Sequence, residues 1–185
     1  MNPRRPGQPQ HRWTRACLAA VFATAFLASV FSALPASASG IFVRSANPAG
    51  EADLVTEGAN HTLQYYFATP GNPFGHTQIA GAGTTYSAPS IFVRSDGEAD
   101  IVAEGANHTL QYYFATPGAP FGHAQVAGAG TTFSAPSIFV RSTDPVGEAD
   151  IVAEGASHTL QYYFATPSNP FDNAQVAGPG TTYSG

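Results

Sequence analysis

The chain has 185 residues, of which 43% are hydrophobic and only 10% charged, and its formal net charge is −5. Beyond residue 38 the sequence keeps all twelve acidic residues but only three basic ones, and it contains no Lys, Cys, Trp or Met. Such an acidic surface repels phosphate groups, which argues against nucleic acids and anionic membranes as partners, and a fold without cysteines must be stabilised by packing alone.

The first 38 residues contain the three segments of a secretory signal peptide in the expected order. Basic residues at positions 4, 5, 12 and 15 precede an apolar run from Ala16 to Leu34, and the segment ends in Ala36-Ser37-Ala38. The run is also about as long as a membrane-spanning helix, but its many Ala and Ser residues and its small-x-small end favour cleavage after Ala38. We therefore expect residues 1–38 to be removed and residues 39–185 to be extracellular, with no membrane attachment.

The rest of the chain is one unit repeated three times, over residues 41–90, 91–137 and 138–185. Within it the decapeptide HTLQYYFATP recurs from His61, His108 and His158. A repeat of about 48 residues is typical of propellers, arrays and solenoids. The units differ in length at one place, where SDGEAD in the second unit replaces SANPAGEAD and STDPVGEAD. Asp96-Gly97 in the short version predicts a two-residue type I′ hairpin turn.

Each unit contains four short stretches rich in β-branched and aromatic residues. In the second unit we predict strands over Ile91–Arg94, Ala99–Glu104, Thr109–Ala115 and Ala124–Ala127, the last running toward Thr132, separated by Gly, Pro and Asn turns. No segment has the 3.6-residue apolar period of a helix. The sequence therefore predicts an all-β fold of three tandem four-stranded antiparallel repeats.

The alternation of side chains predicts that both faces of each sheet are covered. Leu110, Tyr112 and Phe114 share one face of the third strand, whereas Gln111 and Tyr113 lie on the other. A unit this small cannot bury both faces by itself, so the units must stack, as β-propeller blades do.

Three blades do not close a ring, because propellers normally contain four to eight. A homodimer would supply six, and the ends of two chains, TTYSG and SGIFVR, would nearly rebuild the internal junction TTFSAPSIFVR. The alternative is a β-trefoil or β-prism that closes within one chain.

The order of motifs resembles the repeat of the PLL-type bacterial propeller lectins and, more loosely, tectonin repeats. Each junction reads S-A-P-S-I-F-V-R, followed by G-E-A-D, an apolar strand, a turn, Leu, aromatic residues and Pro-Phe. The matching residues in the second unit are Ser87, Pro89, Asp100, Gly105, Leu110, Phe121 and Gly128. The resemblance covers nearly all of residues 41–185 and implies a lectin. That family uses Trp in blade cores and for sugar stacking, and here Tyr and Phe would take that part.

Tyrosines are the first candidates for contacts with a sugar, because an aromatic face packs on the C–H face of a pyranose ring while the hydroxyl group forms hydrogen bonds. We expect Tyr65 and Phe67, on the face that carries Leu63, to belong to the core. On the opposite face, Tyr66, Tyr113 and Tyr163 are predicted to bind the ligand.

The remaining candidates are the repeated arginine and histidine residues. Each arginine, Arg44, Arg94 or Arg141, ends a first strand opposite acidic residues such as Glu98 and Asp100, which favours a structural ion pair; the alternative is a contact with sugar hydroxyls or a carboxylate.

The repeated histidines His61, His108 and His158 begin the third strands and are predicted to close turns by hydrogen bonding, with a ligand contact as the alternative. No zinc-type spacing is present, so we expect no metal and no cofactor.

These observations predict a secreted, multivalent carbohydrate-binding protein, lectin-like, whose partners are glycans. No nucleophile, base and orienting group come together in the pattern, so we expect no enzymatic activity. The alternative is a non-catalytic structural or protein-interaction propeller without affinity for sugars.

Overall fold

The computed structural model describes residues 39–46, 48–142, 147–165 and 170–183. The predicted signal peptide, residues 1–38, lies outside them. Within these ranges the chain forms twelve β-strands and three short 3₁₀ turns. No helix of the described residues is long and apolar enough to cross a membrane.

Each repeat forms one four-stranded antiparallel sheet, which we call a blade, with its strands paired in chain order. Blade 1 consists of β1 (Ser39–Val43), β2 (Ala52–Gly58), β3 (Thr62–Ala68) and β4 (Gly75–Ala80). Blade 2 consists of β5 (Ser90–Val93), β6 (Ala99–Gly105), β7 (Thr109–Ala115) and β8 (Gly122–Ala127). Blade 3 consists of β9 (Ser137–Val140), β10 (Ala149–Gly155), β11 (Thr159–Ala165) and β12 (Asp172–Ala177). The 3₁₀ turns Ala59–His61, Ala106–His108 and Ala156–His158 join the second and third strands of the blades.

Every blade has two different apolar faces. Side chains alternate along a strand, so Val55, Leu63 and Tyr65 lie on one side of blade 1, which we call the front face. The opposite side is the back face, and in blade 2 it carries Ile101 and Tyr113. The front face of one blade packs on the back face of the next. Burial of both faces is what allows such small sheets to be stable.

Two apolar clusters hold the blades together. The first joins Val55, Leu63 and Tyr65 of blade 1 to the back face of blade 2, where Ile101 and Tyr113 are buried. The second cluster repeats this packing between blades 2 and 3, and it includes Val102, Leu110, Tyr112, Ile138, Ile151 and Tyr163. Among the twelve described strands, pairing occurs only within a repeat, and the sheets stack face to face, which is the arrangement of propeller blades. The predicted all-β fold of blade repeats is therefore confirmed.

The first strands of the three blades lie side by side at the inner edge of the stack. Phe42 contacts Phe92, and Phe92 contacts Phe139, with 5.2 Å between ring centroids in both pairs. Both contacts are tilted or edge-on, a favourable geometry for aromatic rings. This row of phenylalanines sets the spacing of β1, β5 and β9.

The turn at Asp96-Gly97 differs from the prediction. The Gly97 amide donates to the Arg94 carbonyl, and the Arg94 amide donates to the Glu98 carbonyl, so three residues lie between the last paired residues. Gly97 alone has a positive φ, 92°, among these loop residues. The connection is therefore a three-residue loop that ends in a left-handed glycine, and the type I′ prediction was wrong.

Candidate functional site

An ion network occupies the inner end of each front face, and it is most deeply buried in blade 1. Asp53 accepts hydrogen bonds from the Arg44 guanidinium at 2.7 and 2.8 Å and from the Tyr65 hydroxyl. Glu51 lies 2.9 Å from the same guanidinium. The hydrogen bond to Asp53 is the main cause that raises the pKa of Arg44. In the other blades the same places are taken by Arg94, Asp100, Tyr112 and Glu98, and by Arg141, Asp150, Tyr162 and Glu148.

These contacts confirm the predicted ion pairs between the arginines and the acidic residues across the hairpin. Each guanidinium is paired with two acidic side chains. Burial of a charge is tolerated when it is paired in this way. The networks thus form a polar end for each front face.

A cleft of about 640 Å³ opens beside this network, between blades 1 and 2. One wall is the front face of blade 1, with Tyr65, Phe67 and Ile79, and the other is the β7–β8 loop of blade 2, with Pro117 and Phe121. The rings of Tyr65 and Phe67 stack with 5.4 Å between centroids, and Phe121 meets Tyr65 edge-on at 5.6 Å. Phe67 is 37% exposed, so an aromatic ring faces the open cleft.

A glycine lies beneath this ring. Phe67 pairs with Gly75 across the sheet, and a Cβ added to Gly75 would lie only 2.6 Å from the Phe67 Cζ. Blade 2 repeats the arrangement with Phe114 over Gly122, and Phe114 is 39% exposed. Glycine is needed here because any side chain would displace the ring. Blade 3 departs from the pattern, since Asp172 pairs with its phenylalanine.

The predicted ligand-binding tyrosines lie on the back faces. Tyr113 and Tyr163 are only 5% and 4% exposed and belong to the apolar clusters between blades. Burial raises the pKa of both hydroxyls, while hydrogen bonds with Thr84 and Thr131 of the preceding repeat oppose that shift. Tyr66, the equivalent in blade 1, is half-buried and lies 4.5 Å from the His76 ring. Tyr113 and Tyr163, which were predicted to bind the ligand, therefore pack between blades, and little of either side chain is open to a ligand.

The predicted histidines lie at the end of the strands opposite the cleft, in the turns between second and third strands. His61 Nδ1 is 2.5 Å from Glu57 Oε1, and the ring stacks on Tyr86 at 4.3 Å. The His61 carbonyl accepts hydrogen bonds from the amides of Thr84 and Thr85. His108 and His158 make the equivalent contacts. Each histidine thus links its own 3₁₀ turn to the loop that follows the fourth strand, in agreement with the prediction that it closes a turn by hydrogen bonding.

A second groove, of about 320 Å³, lies at the inner edge of the stack. Its lining includes Arg44, Arg94 and Arg141. Each of these guanidinium groups is already paired with carboxylates, so the groove offers no free positive charge to an anion. Within the described part of the chain, no group of three His, Cys, Asp or Glu residues is arranged to hold a metal ion.

The fold is similar to that of a known lectin. The BP39L lectin from Burkholderia pseudomallei, whose crystal structure was determined at 1.7 Å resolution, matches with a TM-score of 0.67 and 17% sequence identity. The match covers 78% of this chain and 42% of the lectin chain, so this chain spans less than half the length of that lectin. At this identity the similarity shows a shared fold. No protein-family model and no curated protein matches the chain.

The sequence pattern missed the open cleft. It grouped Tyr65 and Phe67 as core residues, which is correct for Tyr65, whereas the Phe67 ring is partly open to solvent. The signal that could have found it is the glycine opposite each phenylalanine, at Gly75 and Gly122. A glycine inside a strand often marks a place where another group approaches the backbone closely.

Proposed function

We propose that residues 39–185 form a secreted carbohydrate-binding protein that holds a sugar in the clefts between neighbouring blades. The observation that carries this proposal is the partly exposed Phe67 ring, stacked on Tyr65 beside a polar network. A sugar needs both kinds of surface, because its C–H face packs on an aromatic ring and its hydroxyl groups need hydrogen-bond partners. The similarity in fold to a lectin supports the same conclusion.

Polar groups also line this cleft. Glu51 lies at the end of the cleft that carries Arg44, and Thr77 pairs with Tyr65 on the neighbouring strand. Their oxygen atoms can accept hydrogen bonds from hydroxyl groups, and the Thr77 hydroxyl can also donate one. Each guanidinium is already paired with acidic side chains, so it is not free to bind an anionic sugar. The chain beyond residue 38 is also strongly acidic and would repel such a sugar, and we therefore propose neutral sugars as ligands.

The repeat places the same aromatic pair on the front face of a second blade. Blade 2 presents Tyr112 and Phe114, stacked at 5.4 Å, toward blade 3, as blade 1 presents its own pair toward blade 2. Two weak sites on one rigid body bind a surface that carries many copies of a sugar much more tightly than either site alone. Multivalency is therefore part of the proposal.

A glycan array probed with purified residues 39–185 tests the proposal directly. We expect retention on a related set of neutral glycans, and much weaker retention in the double variant Phe67→Ala, Phe114→Ala, because avidity falls when sites are lost. Tyr86→Ala is the matched control, because Tyr86 is similarly exposed but stacks on a histidine away from the cleft. Circular dichroism shows whether each variant is folded. A folded wild-type protein that binds no glycan would overturn the proposal and favour a protein-interaction scaffold.

A further inference from the structure

The two ends of the blade stack expose side chains that the internal interfaces bury. On the back face of blade 1, Ile41 is 47% and Val43 58% exposed. The equivalent residues of blades 2 and 3 are between 3% and 7% exposed, namely Ile91, Val93, Ile138 and Val140. Leu54 of the same face is buried, so the exposed part is the edge formed by β1. The two exposed side chains are neighbours on one face of β1 and form a single apolar patch, the kind of feature that marks an interaction surface when a partner extends it.

The front face of blade 3 is also more exposed than the equivalent faces of blades 1 and 2. Val152 is 41% exposed, whereas Val55 and Val102, its equivalents, are fully buried. Phe139 is 55% exposed and ends the row of inner phenylalanines. The exposed fraction of the arginine side chain rises from 8% at Arg44 and 21% at Arg94 to 37% at Arg141. The third ion network thus lacks the cover that the following blade gives to the first two.

The two open surfaces fit each other because they are copies of surfaces that already pack together. The front face of blade 2 packs on the back face of blade 3 through one cluster that contains Val102 and Ile138. The open faces carry the equivalent valine, Val152, and the equivalent isoleucine, Ile41. Two front faces cannot pack in this way, since the complementary residues lie on opposite sides of a blade. The partner that presents the matching surface is therefore a second copy, joined front to back.

A second copy would also supply the number of blades that a closed ring needs. Propellers close with four to eight blades, and six is the only multiple of three in that range. Two copies joined front to back at both ends form a closed ring with two equivalent interfaces, and no apolar face is left open.

We propose that two copies close a six-bladed ring and that each new interface completes a further ligand cleft. One copy would contribute Arg141, Tyr162 and Phe164, and the partner subunit would contribute its β3–β4 loop with Phe74. This assignment follows from the cleft between blades 1 and 2, where the wall of blade 2 is the β7–β8 loop with Phe121. The ligand of the composite cleft rests on the proposed function, whereas the ring itself does not.

The mass of the particle in solution tests the ring without any ligand. Light scattering of residues 39–185 over a range of concentrations should give twice the mass of one chain. We expect Val152→Glu and Ile41→Arg each to raise the dissociation constant of the dimer at least about 100-fold, because each places an unpaired charge in both apolar interfaces. Tyr86→Glu, at an exposed position outside both end faces, is the matched control and should stay dimeric.

Mixing the two single variants gives the decisive result. In a mixed pair, one interface joins the introduced glutamate of one chain to the introduced arginine of the other, and the second interface is unchanged. Equimolar Val152→Glu and Ile41→Arg should therefore restore the doubled mass. Circular dichroism of each variant alone confirms that its blades are folded. A single-chain mass for the wild type at every concentration would overturn the ring, and so would a doubled mass that neither substitution reduces.

Ligand titration then separates the two proposals. If the clefts bind sugar, the dimer should bind three per chain and the monomeric Val152→Glu variant two. A dimer that binds no sugar would refute the proposed function and leave the ring intact. A dimer with two sites per chain would refute the composite cleft.

Discussion

Replacement of Asp100 by Asn tests whether the buried ion network stabilises the fold. The substitution keeps the shape of the side chain and removes its negative charge. Asp100 is fully buried and accepts hydrogen bonds from the Arg94 guanidinium at 2.7 and 2.9 Å and from the Tyr112 hydroxyl. After the change, the guanidinium would keep only Glu98 as a charged partner, at 3.2 Å.

The expected loss in the free energy of unfolding is about 3 kcal/mol. Removing one partner of a buried pair costs about 3–5 kcal/mol because the other charge is left uncompensated. The lower end applies here, since the Arg94 side chain is 21% exposed and reaches some water. For a domain of this size the loss lowers the melting temperature by about 10 °C.

Glu98→Gln is the matched control on the same guanidinium. The Glu98 side chain is 23% exposed, and a partly solvated pair contributes less than about 1 kcal/mol. Chemical denaturation of both variants at one fixed protein concentration measures the difference. Equal losses for the two substitutions would refute the reasoning, because burial is the feature that distinguishes the two carboxylates.

Three further predictions concern the core and the turns. Burial raises the pKa of Tyr65, Tyr112, Tyr113, Tyr162 and Tyr163. Their contribution to stability is therefore complete below about pH 10 and is lost as the pH rises above it. Phenolate absorbance that reaches its full amplitude at about pH 10 in the folded protein, as in the unfolded one, would contradict this. Leu110→Ala, at a fully buried position, should cost about 2–5 kcal/mol in a denaturant titration, and a loss below about 1 kcal/mol would show that the interface between blades 2 and 3 is not tightly packed. Ser157→Asn should stabilise blade 3 by about 0.5 kcal/mol, because Ser157 has φ 58° and Asn tolerates that region better; a lower melting temperature would contradict the strain argument.

The architecture of a single blade could be predicted from the sequence. Strand pairing within a repeat is local, so alternation and turn residues were enough to place the four strands, and Ala99 and Ala115 bound their strands as predicted. The same alternation correctly separated Tyr112 from Tyr113. The turn type at Asp96-Gly97 was predicted wrongly. The same residues can form a two-residue or a three-residue hairpin loop, and the sequence does not show which residue of the second strand pairs first.

Which of two neighbouring aromatic residues is open to solvent could be learned only from the packing of the blades. Tyr113 is buried against blade 1, while Phe114 on the opposite face is 39% exposed beside a cleft. Alternation shows which side chains share a face, but exposure depends on how far the loops of the next blade extend over that face. The same residue type at equivalent positions is buried at Val102, which blade 3 covers, and exposed at Val152, which no described blade covers. In a repeat protein each unit is specified by its own residues, whereas burial is a property of its neighbours.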